Sequence, residues 1–482
     1  MTIKRNTITR KDQCEGFTRL LKKCLDLQEN DEILVIYDES LEEFFGSLLE
    51  VIESDLISAT FLYIPKSYQK FLVRTGNSDT VREKIPLPSG VISAISTAAA
   101  IINLLDGEPE NASLRRTINH TNRLRTCRLA TIPGISSEII QTIVQSPIDE
   151  ILRDCERIAW ALGESHHVEL LSYDAYSQPY FLSLNLNGWE GEPIMSPGVL
   201  LPGSWGNVPP GETFCCPKHE TVNGEICING SVPGRILRPG EEVVLRFEYG
   251  KLVSWRAPEY TNVAAGSPGI SFLEQEKARA ERNEDSNWNT FAELGIGLNP
   301  VITDLTGNSL FDEKAKQSIH IAIGDNSAFG DDVVSFLHAD LVTWRPDLRL
   351  DGKEIMVRGN IATDLIDDLR KAQPRFEMVP LDASIRLRDA RVEHHGGVLK
   401  RRLSKAHRVN YVTMADEKIS HELDRLCDVL GDSDTIGVAD IIEQNPSFGG
   451  IQTIDLLGIL NHYRVLHITT LVRDEDGLPD QR

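Results

Sequence analysis

The chain has 482 residues, a formal net charge of −22, 41% apolar residues and only 6% aromatic residues. That length exceeds one ordinary domain, and two or three are expected. The acidic balance argues against nucleic-acid binding, which needs clustered Lys and Arg, and no apolar run reaches the length of a membrane-spanning helix.

The start, Met1-Thr2-Ile3-Lys4-Arg5-Asn6, leads into polar sequence without the apolar core of a secretory signal, so a cytoplasmic setting is expected. The eight cysteines are scattered and form no Cys-x-x-Cys pair, which argues against a zinc ribbon. Free thiols in a reducing compartment are the expected state.

Residues 1–30 read as an amphipathic helix, with Phe17, Leu20, Leu21, Cys24, Leu25 and Leu27 at helical spacing. The apolar run Ile33–Tyr37 suits a buried parallel strand, a helix follows around Leu41–Ile52, and Ala59–Pro65 reads as a second strand. Ala100–Leu105 and Arg123–Gly134 give further strands, and helices are expected over 135–145 and 147–163. Strand and helix alternation of this kind builds an α/β layer with right-handed crossovers. No Gly-rich phosphate loop follows these strands, so a dinucleotide-binding role has no support.

From about residue 167 the chain turns to strands. His167–Leu171 and Tyr180–Leu186 alternate at period two. The Pro- and Gly-rich stretch Pro197–Gly211 reads as a long loop that delivers Glu212, and Cys215 and Cys216 just after it read as buried small residues on a strand. Val243–Val253 reads as a hairpin turning at Gly250. Residues 272–290 read as a charged helix whose last turn leads to Glu293, ahead of a Gly-Ile-Gly turn. Beyond residue 360 helices are expected at 361–371 and 415–430, and 435–468 reads as helix, turn, helix, strand.

The chemistry concentrates in a few places. His338 and Asp340 stand two apart in an otherwise apolar, strand-like run, and in a strand i and i+2 share a face. Upstream lie Glu212 in Pro-Pro-Gly-Glu-Thr-Phe, Glu293 in Glu-Leu-Gly-Ile-Gly-Leu-Asn-Pro, and His320 in Ile-His-Ile-Ala-Ile-Gly. Imidazole nitrogen and carboxylate oxygen are the donors expected for a borderline divalent metal. The other histidines do not gather into ligand spacing.

At these places the chain resembles the aminopeptidase T family, the M29-type metallo-aminopeptidases. That family's pattern runs Gly-Glu-Val-Phe, Glu-x-Gly-x-Gly-x-Asn, a His before Ala-x-Gly, then His-x-Asp. The resemblance covers roughly residues 30–360 and includes Asp312-Glu313-Lys314 before His320 and the Asp351-Gly352-Lys353-Glu354 turn.

The resemblance implies an N-terminal α/β domain (1–165), an α+β metal-binding catalytic domain with a largely antiparallel sheet (166–360), and here an added helical, winged-helix-like module (361–482). It implies a metal-dependent hydrolase acting on an amide or peptide bond of a specialised substrate. Glu212, Glu293, His320, His338 and Asp340 would hold two divalent ions (Zn, Co or Mn), with Glu212 or Glu293 taking the water proton. Apolar faces around Leu456, Leu457 and Leu460 imply docking on the catalytic domain or across a homodimer.

One departure stands out. The family carries a Tyr several residues after the His that matches His320, whereas this chain reads Gly-Asp-Asn-Ser-Ala-Phe-Gly, which points away from broad peptide hydrolysis. The runner-up is a mononuclear Fe(II) dioxygenase similar to the 2,5-dihydroxypyridine dioxygenases, with His338, Asp340 and His320 as ligands. A non-catalytic member of the family is the third reading.

Overall fold

The computed structural model describes residues 8–27, 31–75, 89–98, 100–105, 128–132, 134–186, 193–200, 205–259, 267–326 and 333–362, together with the short strands 384–387, 436–437 and 466–469. The chain is a mixed α/β and α+β protein. Its first sheet is parallel, and the sheets that follow are antiparallel wherever pairing is recorded.

The first sheet contains β1 (Glu32–Tyr37), β2 (Ser58–Tyr63), β3 (Ala100–Leu104) and β4 (Arg128–Thr131) in the order 2-1-3-4. Leu34, Ile36, Ile101 and Leu129 point to one face, and Ile33, Val35, Ile102 and Ala130 to the other. At β1 and β3 both faces are buried, which is why these two strands are largely apolar runs rather than alternating ones.

Helix α1 (Arg10–Arg19) begins at a Thr9 capping box with Asp12 and continues as a π-helical turn, Leu20–Cys24. It packs with α2 (Phe45–Ser54) on the face that also receives Phe17, Leu21 and Leu48. The Pro/Gly stretch before Glu212 is more than a loop. Its Trp205–Asn207 joins the edge of the first sheet as a fifth parallel strand, beside β4.

Two further sheets enclose the larger core. One has eight strands. It includes β5 (His167–Tyr173), β6 (Pro179–Asn185) and the hairpin Val243–Glu248 and Lys251–Arg256, which turns through Tyr249 and Gly250, both at positive φ. The other has seven strands, and four neighbours in it matter for the site: β7 (Glu212–Cys215), β8 (Phe291–Gly297), β9 (Ser318–Gly324) and β10 (His338–Trp344), each antiparallel to the next. One apolar cluster lies between the sheets, with Leu170, Leu184, Ile226 and Leu245 from the first and Leu294, Ile296, Ile319, Ile321 and Leu341 from the second. The long helix Ile148–Glu164 adds Ile151, Cys155 and Ile158 to the same cluster.

Two expectations are corrected. The charged helix runs Pro268–Arg282 and stops well short of Phe291. Glu293 is therefore not at a helix end. It sits in β8, all seven residues of which are buried, and Gly295 and Gly297 are strand residues rather than a turn. The helices and the winged-helix-like pattern expected beyond residue 362 lie outside the described residues. Within that region Ser384–Leu387 pairs antiparallel with both Ile436–Gly437 and Leu466–Thr469.

Among the described residues Cys14, Cys24, Cys155, Cys215 and Cys227 are free thiols, all buried except Cys14. No described helix is long and apolar enough to cross a membrane.

Ile321 is fully buried on the core face of β9. Ile321→Ala is expected to lower unfolding stability by about 2–5 kcal/mol in chemical denaturation, the usual cost of such a cavity.

Candidate metal centre

The period of two in a strand sorts the seven-stranded sheet into an apolar face and a charged one. Directly opposed residues of an antiparallel pair share a face. The registers Gly297 with Glu212, Gly295 with His320, Glu293 with Ala322, and Ala322 with Asp340 therefore set the expected donors on one side. His338, opposite Gly324, completes the set. Leu294, Ile296, Ile319, Ile321 and Leu341 take the other side.

Small residues on the charged side make the room. A Cβ on Gly295 would stand 2.1 Å from the His320 ring, and one on Gly297 would stand 2.1 Å from the Ala315 carbonyl oxygen. The spacing of glycines in the Glu-x-Gly-x-Gly-x-Asn motif thus has a steric cause. Its Asn has another. Asn299 donates through Nδ2 to Ser146 Oγ at 3.0 Å and to the Pro210 carbonyl at 2.8 Å, fixing the turn two residues ahead of Glu212.

The five residues form one chain of contacts. Glu293, His338 and Asp340 offer ligand atoms within 4.8 Å of one another. His320 Nε2 lies 3.0 Å from Glu293 Oε1 and 3.7 Å from Glu212 Oε2. His338 Nε2 lies 3.8 Å from Glu293 Oε2 and 3.5 Å from Asp340 Oδ1. Glu293 thus stands between two imidazoles, one on each oxygen. The His338 ring donates from Nδ1 to the Asp325 carbonyl at 2.6 Å, which selects the tautomer and presents Nε2 to the carboxylates.

Two further charged residues join the cluster. The segment 299–316 crosses the charged side of the sheet, with Ile302, Phe311 and Ala315 packed into the core of the first sheet. It carries Glu313 and Lys314 to the site. Lys314 is fully buried, and its Nζ lies 2.9 Å from Glu212 Oε1 and in contact with the Glu313 carboxylate. The Asp-Glu-Lys triplet was visible in the sequence as part of the resemblance, but a run of charges ahead of a strand reads as a solvated turn. Nothing local shows that Lys314 meets Glu212.

The charges perturb one another strongly. Burial opposes the charged form of His320, but the hydrogen bond and charge of Glu293, with Glu212 and Asp340, outweigh it and push the imidazole up to about 9. His338 is also raised. Burial opposes this, Asp340 and Glu293 drive it, and solvent at its 27% exposed ring tempers it. Asp340 is held well below the usual carboxylate range despite burial, chiefly by His338. Burial raises the Glu293 carboxyl against the pull of His320 and His338. It raises Glu313 well above the ordinary value against the pull of Lys314. The Lys314 ammonium, which burial disfavours, is held by Glu212 and Glu313.

The residues fit a divalent ion. Their donors are imidazole nitrogen and carboxylate oxygen. Glu293 Oε2 and His320 Nδ1 are buried without a hydrogen-bond partner, and an unsatisfied buried carboxylate oxygen is costly.

No protein-family model matches the chain, and no curated protein matches it. Among solved structures the chain is similar to 2,5-dihydroxypyridine dioxygenase from Pseudomonas putida KT2440, with a TM-score of 0.53, 14% identity, and coverage of 74% of this chain and 98% of that one. It is also similar to wild-type AmpT from Thermus thermophilus, with a TM-score of 0.50, 17% identity, and coverage of 73% of this chain and 99% of that one. At such identities the likeness shows a shared fold. The span 327–332, where the sequence departs from the aminopeptidase pattern in lacking a Tyr, lies outside the described residues.

Asn299→Ala is expected to cost about 1–3 kcal/mol of stability, because it strips two hydrogen bonds from a buried turn. Thermal unfolding of the full chain checks this.

The pH dependence has a definite sign. His320 is raised from 6.5 to about 9, so its contribution to the stability of the metal-free chain is whole below 6.5 and is lost as pH rises through about 9. Glu293 and Glu313, both raised, act in the same direction. Asp340, depressed, matters only at acid pH. The metal-free chain is expected to melt at lower temperature at about pH 9.5 than at about pH 6.5.

Proposed function

We propose that the chain is a metal-dependent hydrolase of an amide or peptide bond, similar in its chemistry to the aminopeptidase T family. The observation that carries this reading is Glu293: a buried carboxylate with Oε1 on His320 and with Oε2 facing His338 at 3.8 Å without a hydrogen-bond partner. A carboxylate so placed suits a centre with two cation positions. On this reading Glu293, His338 and Asp340 would hold one ion, and Glu212, His320 and Glu293 a second. Divalent ions held there would supply Lewis-acid chemistry toward a carbonyl and lower the pKa of water.

The chain's own residues do the rest. Glu212 and Glu293 are the two carboxylates expected to accept the water proton; Glu212 is engaged by Lys314 and Glu293 by His320. Asp340 stays ionised and, with the Asp325 carbonyl, orients His338. The acidic cluster suits a substrate that offers a free amino group. The added residues 361–482 point to a specialised substrate and to docking within a homodimer. A cytoplasmic protein without nucleic-acid or membrane partners is consistent with the acidic composition.

The likeness to 2,5-dihydroxypyridine dioxygenase supports a second reading, a single Fe(II) held by His320, His338 and Asp340. Glu293 lies against both imidazoles and crowds a ligand set of that kind with an extra carboxylate.

His338→Ala and Asp340→Ala are each expected to lower bound metal sharply, abolish hydrolysis and leave the far-ultraviolet circular dichroism unchanged. Full metal content in both variants contradicts the reading. Elemental analysis that finds iron alone, at one per chain, favours the oxygenase.

A further inference from the structure

Lys314, with its partner Glu313, is a part of the cluster to which the proposed chemistry gives no role. Its side chain is fully buried, and its ammonium lies 2.9 Å from Glu212 Oε1 and against the Glu313 carboxylate. Its place is fixed by the backbone. Asn299 N–H donates to the Lys314 carbonyl at 2.8 Å, and the Lys314 N–H donates to the Phe311 carbonyl at 3.1 Å.

A buried ammonium is tolerated only where carboxylates neutralise it. Here the neutralising groups include the one residue, Glu212, that the second ion position cannot do without. An ammonium and a divalent cation on the same carboxylate repel each other at short range, where the protein interior screens them poorly. The two halves of the centre are therefore not equivalent. On the Glu293–His338–Asp340 side no Lys or Arg makes a recorded ion pair among the described residues. On the Glu212–His320 side a cation is already in place.

We infer that Lys314 is a built-in cation that holds the Glu212 half of the centre, so that divalent ions enter in two unequal steps. The first ion binds tightly at Glu293, His338 and Asp340. The second binds at Glu212 and His320 only by drawing Glu212 away from the Lys314 ammonium, which stays on Glu313. Lys314 is then a positioning residue that makes occupancy of the second position dependent on the supply of metal. This rests on the metal-binding reading of the same residues.

The test is calorimetric titration of the metal-free full chain with Mn²⁺, followed by elemental analysis, for wild type, Lys314→Met and Lys314→Arg. In wild type the second ion is expected to bind at least about tenfold more weakly than the first. In Lys314→Met, which keeps the length of the side chain and removes its charge, the second ion is expected to tighten by at least about tenfold while the first changes less. Lys314→Arg keeps the wild-type inequality. Two ions of indistinguishable affinity in wild type overturn the inference, as does a second ion unchanged in Lys314→Met. Either result leaves the metal-binding reading intact. A wild-type chain that takes up no metal overturns both together. If Lys314→Met does not fold, the wild-type titration alone decides between equal and unequal steps.

Discussion

The burial of a charged cluster on one face of an antiparallel sheet constrains the rest of this structure. Glu212, Glu293, His320 and Lys314 are all buried, and Asp340 lies among them. Each would carry a large desolvation cost alone. The fold tolerates them because each is set against an opposite charge, His320 on Glu293, Lys314 on Glu212 and Glu313, His338 on Asp340. Glu293 links the two halves. Its placement depends on Gly295, which alone leaves space for the His320 ring across the strand pair.

The surroundings follow from holding that cluster. Alternation along β8, β9 and β10 gives the opposite face of the same strands to the main core, so the packing that fixes the strands also fixes the donors. The segment 299–316 brings Glu313 and Lys314 to the cluster while anchoring itself in the core of the first sheet through Ile302, Phe311 and Ala315. Asn299 ties that segment to Ser146 and to the turn before Glu212. The parallel first sheet thereby helps to hold a site to which its strands contribute no donor.

Much of this was legible in the sequence where the signal is local. His338 and Asp340 on one strand face, the apolar runs of β1 and β3, and the hairpin turn at Tyr249 and Gly250 all follow from spacing and residue type. The misses share a cause, which is that the deciding partner is distant in the chain. Gly295 and Gly297 look like a turn until His320 and the Ala315 carbonyl are seen to need their space. Trp205–Asn207 looks like loop because its parallel partner, β4, lies more than a helix and two strands earlier. The contact of Lys314 with Glu212 does not show in the sequence because Glu212 comes from another strand. The missing Tyr and the helices expected after residue 362 fall outside the described residues.

The central claim is that the cluster around Glu293 is a metal centre, with its tightest position at Glu293, His338 and Asp340. The most direct measurement is anomalous diffraction at the metal edge from crystals of the full chain grown with Mn²⁺. The account requires an anomalous peak bonded to Glu293, His338 and Asp340. A map with no peak there, at saturating Mn²⁺ and with those side chains ordered, would contradict it.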